Sequence, residues 1–229
     1  MITSHHNTKL KEVRKLLSRP RGQRAAGRFV AEGEDLLAAA DAAGWPALER
    51  LVAGVDVEPE VLAHVSGLAS GTRALAVYEE RWLDAPAGPL CVALWGVRDP
   101  GNVGTILRSA HAFGAASVAI GPDTADPYGP RAVRASMGAI FAVPVARVGD
   151  VAALPAPAVA LDAGAGEPLR GSGPARPATL VIGAEREGLA PEVVRACERA
   201  ARIPIAAGDS LNAAMAATVA LYEWTRDDG

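Results

Sequence analysis

Residues 90–114, LCVALWGVRDPGNVGTILRSAHAFG, read as a strand, a polar turn and a helix. LCVALWG (90–96) is continuously apolar, as a strand buried on both faces of a parallel sheet requires. NVGTILRSAHAFG (102–114) switches to helical spacing, with Val103, Ile106, Leu107, Ala110 and Phe113 on one face. Between them, Gly101 and Gly104 permit close backbone approach, and Asn102 reads as the cap of the helix. Arg108 falls on the opposite side of that helix from Ile106 and Phe113. In open parallel sheets, ligands bind where strands empty into such turns.

The pattern continues downstream. SVAIG (117–121) is a second strand, and 129–141 is a short helical stretch ending near Gly138. Residues 143–148, 159–161 and 179–183 are further strands. PEVVRACERA (191–200) is a helix with proline in its first turn, ARIPI (201–205) the last strand, and 212–226 the last helix. The stretch 149–178 is rich in Pro, Gly and Ala and supports no firm assignment beyond its strand at 159–161. Strands alternating with helices over 90–229 predict an α/β fold with a parallel sheet.

Upstream, 7–18 reads as an amphipathic helix ended by Pro20 and Gly22. Strands at 28–33, 47–54 and 73–80 alternate with helices at 34–43 and 59–69. This predicts a small α/β domain over 1–84, a linker at 85–89, and the larger domain from 90 onward.

Half of the 229 residues are hydrophobic, so the chain is globular. No apolar run approaches the roughly 18 residues needed to span a membrane. The N-terminus lacks the apolar core of a secretory signal. Cys91 and Cys197, without metal-ligand spacing, fit two free thiols in a reduced, cytoplasmic setting. Net charge is −3, yet residues 1–30 carry eight basic residues against the single acid Glu12. Lys9, Lys11, Arg14, Lys15, Arg19, Arg21 and Arg24 in that segment form a footprint for a polyanion, against the plainer reading of a solvated helix face.

Two more turns resemble the one at 96–104. LVIGAEREGL (180–189) empties a strand into Gly183, Glu185 and Gly188, and RIPIAAGDSLNAAMAA (202–217) sets Ser210, Leu211 and Asn212 before a helix. Each alone reads equally well as a turn and a cap. No Walker lysine is present and no GxGxxG follows 90–96, which argues against P-loop and dinucleotide chemistry. Together, however, the three segments resemble the SpoU/TrmH family of the SPOUT superfamily, across essentially the whole chain. N-x-G-x-x-x-R stands as Asn102, Gly104 and Arg108; V-x-G-x-E-x-x-G as Val181, Gly183, Glu185 and Gly188; I-P-x(5)-S-L-N as Ile203, Pro204, Ser210, Leu211 and Asn212. The order of the motifs is also that of the family.

The resemblance implies a trefoil-knotted, homodimeric methyltransferase domain behind a ribosomal-protein-like RNA-binding domain. It implies transfer of a methyl group from S-adenosylmethionine to a ribose 2'-OH of RNA, ribosomal rather than transfer RNA, without a metal. It places the donor by Ile182, Gly183, Gly188, Ile203 and Leu211, with glycine at 183 leaving room for the ligand. Arg108 is then the central catalytic residue, with Asn102, Glu185, Ser210 and Asn212 around it and Glu185 orienting it. The family pattern treats this arginine as the base. Since an arginine ordinarily titrates above about 12, clamping a phosphate and stabilising a developing alkoxide is an equally physical role. A catalytically inactive RNA-binding protein of the same fold, and a transfer-RNA substrate, stay open at this point.

Overall fold

The computed structural model describes residues 1–18, 27–67, 71–171, 173–208 and 210–226. Two sheets organise the chain. The first is antiparallel, with β1 (Arg28–Glu32), β2 (Glu49–Val52) and β3 (Ala74–Glu79) in the order β1-β3-β2. Its helices are α1 (Thr8–Leu17), α2 (Glu34–Ala42) and α3 (Pro59–Val65). Period-two alternation divides β1 and β3 between two cores. Val30, Leu75 and Val77 meet Leu10, Val13, Leu16 and the α3 residues Val61, Leu62 and Val65. Phe29, Ala31, Ala74, Ala76 and Tyr78 face the other way, into a core shared with the rest of the molecule.

The second sheet is seven-stranded and all parallel. It runs β10-β8-β9-β5-β6-β7-β4, from β4 (Trp82–Leu83), β5 (Leu90–Leu94), β6 (Ser117–Ile120), β7 (Val145–Arg147), β8 (Ala158–Leu161), β9 (Ala178–Ile182) and β10 (Arg199–Ala201). Central β5 is buried along its whole length. Leu90, Val92 and Leu94 pack under α4 (Pro100–Ala112) and α8 (Ala213–Thr225). Cys91 and Ala93 pack toward α7 (Pro191–Ala196) through Val181, Leu189 and Val193. A strand covered on both faces has no polar side to alternate, which explains the unbroken apolar run.

Helices α4 and α8 lie side by side and parallel. Asn212 bonds Asn102 at their starts, Ser109 Oγ lies 2.7 Å from Thr218 Oγ1 midway, and the Phe113 and Tyr222 rings meet at 6.3 Å toward their ends. Gly104 lets α4 seat on α5 (Pro130–Ala135). A Cβ there would stand 2.3 Å from Ala132 O and 2.6 Å from Ala135 Cβ.

Five sequence expectations are corrected. The N-cap of α4 is Asp99, whose side chain accepts from Asn102 N, so Asn102 lies inside the first turn and its side chain is free for another partner. The last strand is 199–201, not 201–205. Arg202 N–H and C=O already pair with Glu167 and Leu169, and Pro204 has no N–H to offer a ladder. The preceding helix accordingly stops at Ala196. Residues 129–141 divide into α5 and α6 (Ala139–Ala142), because Met137 (φ 49°) and Gly138 (φ 92°) turn left-handed between them. Finally, Trp82 and Leu83, expected within the N-terminal domain, pair with Val145 and Ala146 at the edge of the large sheet.

Candidate active site

The carboxyl edge of the parallel sheet gathers the three turns. After β9 the chain doubles back on itself. Ala184 and Gly188 exchange both backbone hydrogen bonds, at 3.0 and 3.1 Å. That hairpin, not a ligand, is the immediate reason for glycine at 183. A Cβ there would lie 2.4 Å from the Gly188 carbonyl carbon and 2.5 Å from Leu189 N. Gly188 itself sits at φ 67°, a region only glycine enters at little cost.

A chain of side-chain hydrogen bonds then joins the turns. Asn102 Nδ2 donates to Glu185 Oε1 at 2.8 Å, and Asn212 Nδ2 donates to Asn102 Oδ1 at 3.1 Å. Asn212 Oδ1 accepts from Ala214 N and Met215 N, capping α8. The Asp99 N–H adds a longer bond to Glu185 Oε1 at 3.3 Å. One amide therefore spans the first and third turns and one spans the first and second. Each uses donors and acceptors that only an Asn presents together on so short a stem.

Beside this relay lies a cavity of about 290 Å³, walled by Ile182, Gly183, Gly188, Ile203, Leu211 and Ser210. All five residues expected around a donor molecule line it, with Ser210 from the catalytic set. Glu185 lines it too, and Arg186 stands at its lip. Its volume is just below the roughly 300–1,000 Å³ of small-molecule sites, and its walls mix aliphatic side chains with the charged Asp162, Glu185, Arg186 and Glu187. Leu161 and Asp162, at the carboxyl end of β8, complete one wall. They lie within the stretch 149–178, which composition left open beyond its strand at 159–161. An acid directly after an apolar strand was the available signal, as Gly183 and Glu185 are after β9. Asp162 makes no side-chain hydrogen bond or ion pair among the described residues. A larger hollow of about 530 Å³ lies around Leu90, Phe113 and Tyr222, at the opposite end of α4 from Asn102.

Arg108 is not in the cavity wall. It is exposed on α4 and has no hydrogen bond or ion pair among the described residues. No bond joins it to Glu185, whose Oε1 accepts from Asn102 and Asp99 instead. Nearby Arg131 meets Asp99 at 3.6 Å and Arg98 meets Glu187 at 3.8 Å, both as exposed pairs that contribute little to stability.

In the basic segment, Lys11 and Lys15 are exposed on α1, whereas Lys9 is tied to Glu49 at 2.8 Å. Arg14 has a buried Nη2 without a hydrogen-bond partner among the described residues. Arg19, Arg21 and Arg24, with Pro20 and Gly22, lie outside the described residues.

Comparison with known proteins fits this geometry. Residues 89–222 match the model of the SpoU rRNA Methylase family. The chain is 36% identical over 146 residues to a 23S rRNA (uridine(2479)-2'-O)-methyltransferase of Streptomyces viridochromogenes, spanning 56% of this chain and about half (49%) of that one. It is 34% identical over 194 residues to a 23S rRNA (guanosine-2'-O-)-methyltransferase of Bordetella pertussis, spanning 76% of this chain and 79% of that one. An AdoMet-bound rRNA methyltransferase from Sinorhizobium meliloti superposes with a TM-score of 0.87 at 30% identity, over 99% of this chain and 97% of the other.

Proposed function

Because the chain belongs to the SpoU rRNA methylase family, we propose that it transfers a methyl group from S-adenosylmethionine to a ribose 2'-hydroxyl of ribosomal RNA. The single observation that carries this reading is the relay Glu185–Asn102–Asn212, which binds three distant turns into one wall beside one cavity. The cavity suits the donor. Ile182, Ile203 and Leu211 give the apolar surface an adenine needs, and Gly183 and Gly188 bring main chain close. Asp162 and Glu185 supply negative charge for a cationic ligand. Bound there, the donor supplies an electrophilic methyl group held for in-line attack.

The protein's own part is positioning and charge. The relay fixes the hairpin 183–188 against α4 and α8, so the cavity is pre-organised before RNA arrives. Ser210, exposed at the mouth, offers a hydroxyl to the incoming backbone. Arg108 holds the phosphate next to the target ribose and stabilises negative charge growing on the 2'-oxygen.

The placement of Arg108 outside the cavity favours action across a homodimer. On α8, Met215, Val219 and Tyr222 are 63%, 43% and 55% exposed at helical spacing, an apolar stripe facing away from the core. Alongside it, α4 exposes Thr105, Arg108, His111 and Ala112. A second copy seated on these helices brings Arg108 of one protomer toward the cavity of the other. We infer a knotted C-terminal part, a reading supported by Ile203, Ser210 and Leu211 lining the same cavity as the 183–188 hairpin and by α8 lying on α4. The RNA-holding unit is the expected 1–84 less its end, where Trp82 and Leu83 pair into the large sheet; the joint is 80–89, and 90–229 is the methyltransferase unit, working in the cytoplasm. No described helix is long and apolar enough to cross a membrane.

Incubation of ribosomal RNA with labelled S-adenosylmethionine, followed by digestion to nucleosides, tests the proposal. Label in a 2'-O-methylnucleoside is expected. Label in a base, or none, contradicts it. Donor binding without transfer to any RNA would favour an inactive RNA-binding relative.

A further inference from the structure

A small domain on a linker should carry its own closed core. The N-terminal unit closes one on only one face of its sheet, under α1 and α3. The other face, Phe29, Ala31, Ala76 and Tyr78, is buried in the same core as Tyr128, Ala132, Val133, Ile140 and Phe141 of the larger unit. The contacts are specific. The Phe29 ring lies 4.8 Å from that of Tyr128 and 5.8 Å from that of Phe141. Trp45 packs edge-on against Phe141 at 5.2 Å and donates Nε1–H to the Phe141 carbonyl at 2.9 Å, fully out of water. Separation would expose these rings together, a patch water does not tolerate cheaply.

The joint is held as well. Tyr128 Oη donates to Arg81 O at 2.5 Å and accepts from Arg81 N at 3.2 Å. Trp82 stacks edge-on with Tyr128 at 5.2 Å, carries the Arg147 guanidinium 3.7 Å over its ring, and donates to Glu80 Oε2 at 3.0 Å. Behind these, Arg134 of α5 reaches Glu32 of β1 at 3.4 Å; that carboxylate, 4% exposed, also accepts from Ser66 Oγ and Gly67 N. α5 is the helix on which α4, bearing Arg108, is seated through Gly104.

We propose that the N-terminal unit is locked to the methyltransferase unit as a rigid ruler. RNA held on α1 then presents one nucleotide at a fixed reach from the donor cavity, and Trp45, Trp82 and Tyr128 are positioning residues that set target selectivity. This rests on the reading above, that α1 holds RNA and the cavity transfers the methyl group. A flexible tether lets many nucleotides reach the cavity, whereas a fixed span admits one geometry. None of the three side chains lines the cavity, so loosening them should spare donor binding.

The test uses the full chain, protein-free total ribosomal RNA and two variants, Trp82→Ala and Tyr128→Phe. The second removes only the hydroxyl and guards against a first variant that fails to fold. Expected are unchanged S-adenosylmethionine affinity within about twofold, new trypsin cleavage after Arg81, and methyl groups spread over several nucleotides. The KM for RNA should rise about tenfold with kcat retained, and Trp82→Phe should restore the single site. The proposal is overturned if folded variants still resist trypsin at Arg81. It is equally overturned if a loosened variant modifies the same nucleotide at the same KM. No transfer to RNA by the wild-type chain would instead remove the underlying reading and leave the docking geometry untouched.

Discussion

Asn102 and Asn212, 110 positions apart, are joined by a 3.1 Å hydrogen bond, and Asn102 passes the connection on to Glu185 at 2.8 Å. Asn102→Ala breaks both links and leaves Glu185 with only the longer bond from Asp99 N. Loss of two half-exposed hydrogen bonds costs about 1–2 kcal/mol. Methyl transfer should fall roughly tenfold to a hundredfold by displacement of the hairpin. Asn102→Asp should be worse, because a carboxylate would face Glu185. Thermal melts and single-turnover rates of both variants check this; a rate equal to wild type in either would show the relay to be dispensable.

Asp99, which caps α4 and also supplies the N–H to Glu185, should matter to stability and to the site together. Asp99→Ala is expected to lower stability by about 1 kcal/mol, the usual cost of losing such a cap. The backbone N–H to Glu185 stays in this variant, so the Kd for S-adenosylmethionine, measured by calorimetry, should rise only as the uncapped first turn of α4 shifts Asn102 away from Glu185. A stability loss with unchanged donor affinity would confine Asp99 to capping.

Gly183→Ala forces a methyl group to within 2.4 Å of the hairpin's own main chain. The hairpin must open, so donor binding should be lost while the sheet behind it persists. Gly104→Ala presses on Ala132 O at 2.3 Å and should instead destabilise the α4–α5 packing, by roughly the 1–3 kcal/mol of an overpacked core. Calorimetry and melting temperature separate the two outcomes. Donor binding intact in Gly183→Ala would contradict the geometry of the cavity wall.

Burial raises the Cys197 thiol to about 11, with Glu198 adding to the effect, and burial raises Cys91 as well. A thiol held protonated in the fold but ionising near 9 when unfolded favours the unfolded chain as pH climbs. The stability contributed is therefore complete below pH 9 and is lost between about 9 and 11. Melting temperature should fall over that window, and iodoacetamide should label native Cys197 slowly at pH 8. Rapid labelling at pH 8 would place the thiol outside its apolar surroundings.

Much of the larger unit was legible in the sequence, because its strands are long, apolar and punctuated by glycine. That Ile182, Gly183, Gly188, Ile203 and Leu211 line one cavity was legible only through the spacing of three motifs, since each turn alone is an ordinary one. What escaped has a physical reason in each case. Trp82–Leu83 is too short to show a period. Asp99 and Asn102 are both good caps three residues apart, and the choice between them depends on Glu185, 83 positions beyond Asn102. The shared aromatic core was hidden because alternation in β1 and β3 reads the same whether the second face meets a helix or another unit. The outward placement of Arg108 could not be read because helical periodicity gives a side of α4 and not what stands opposite it.

One cavity and one arginine acting together on a ribose can be separated by a single substitution. Wild type and Arg108→Ala are compared for donor affinity and for 2'-O-methylation of ribosomal RNA mapped to the nucleotide. Expected are equal S-adenosylmethionine affinity, modification of a single nucleotide by wild type, and transfer slower by at least about a hundredfold in the variant, the scale of losing one charge-stabilising group. Wild-type turnover in Arg108→Ala, or methyl groups on bases instead of riboses, would contradict that joint action.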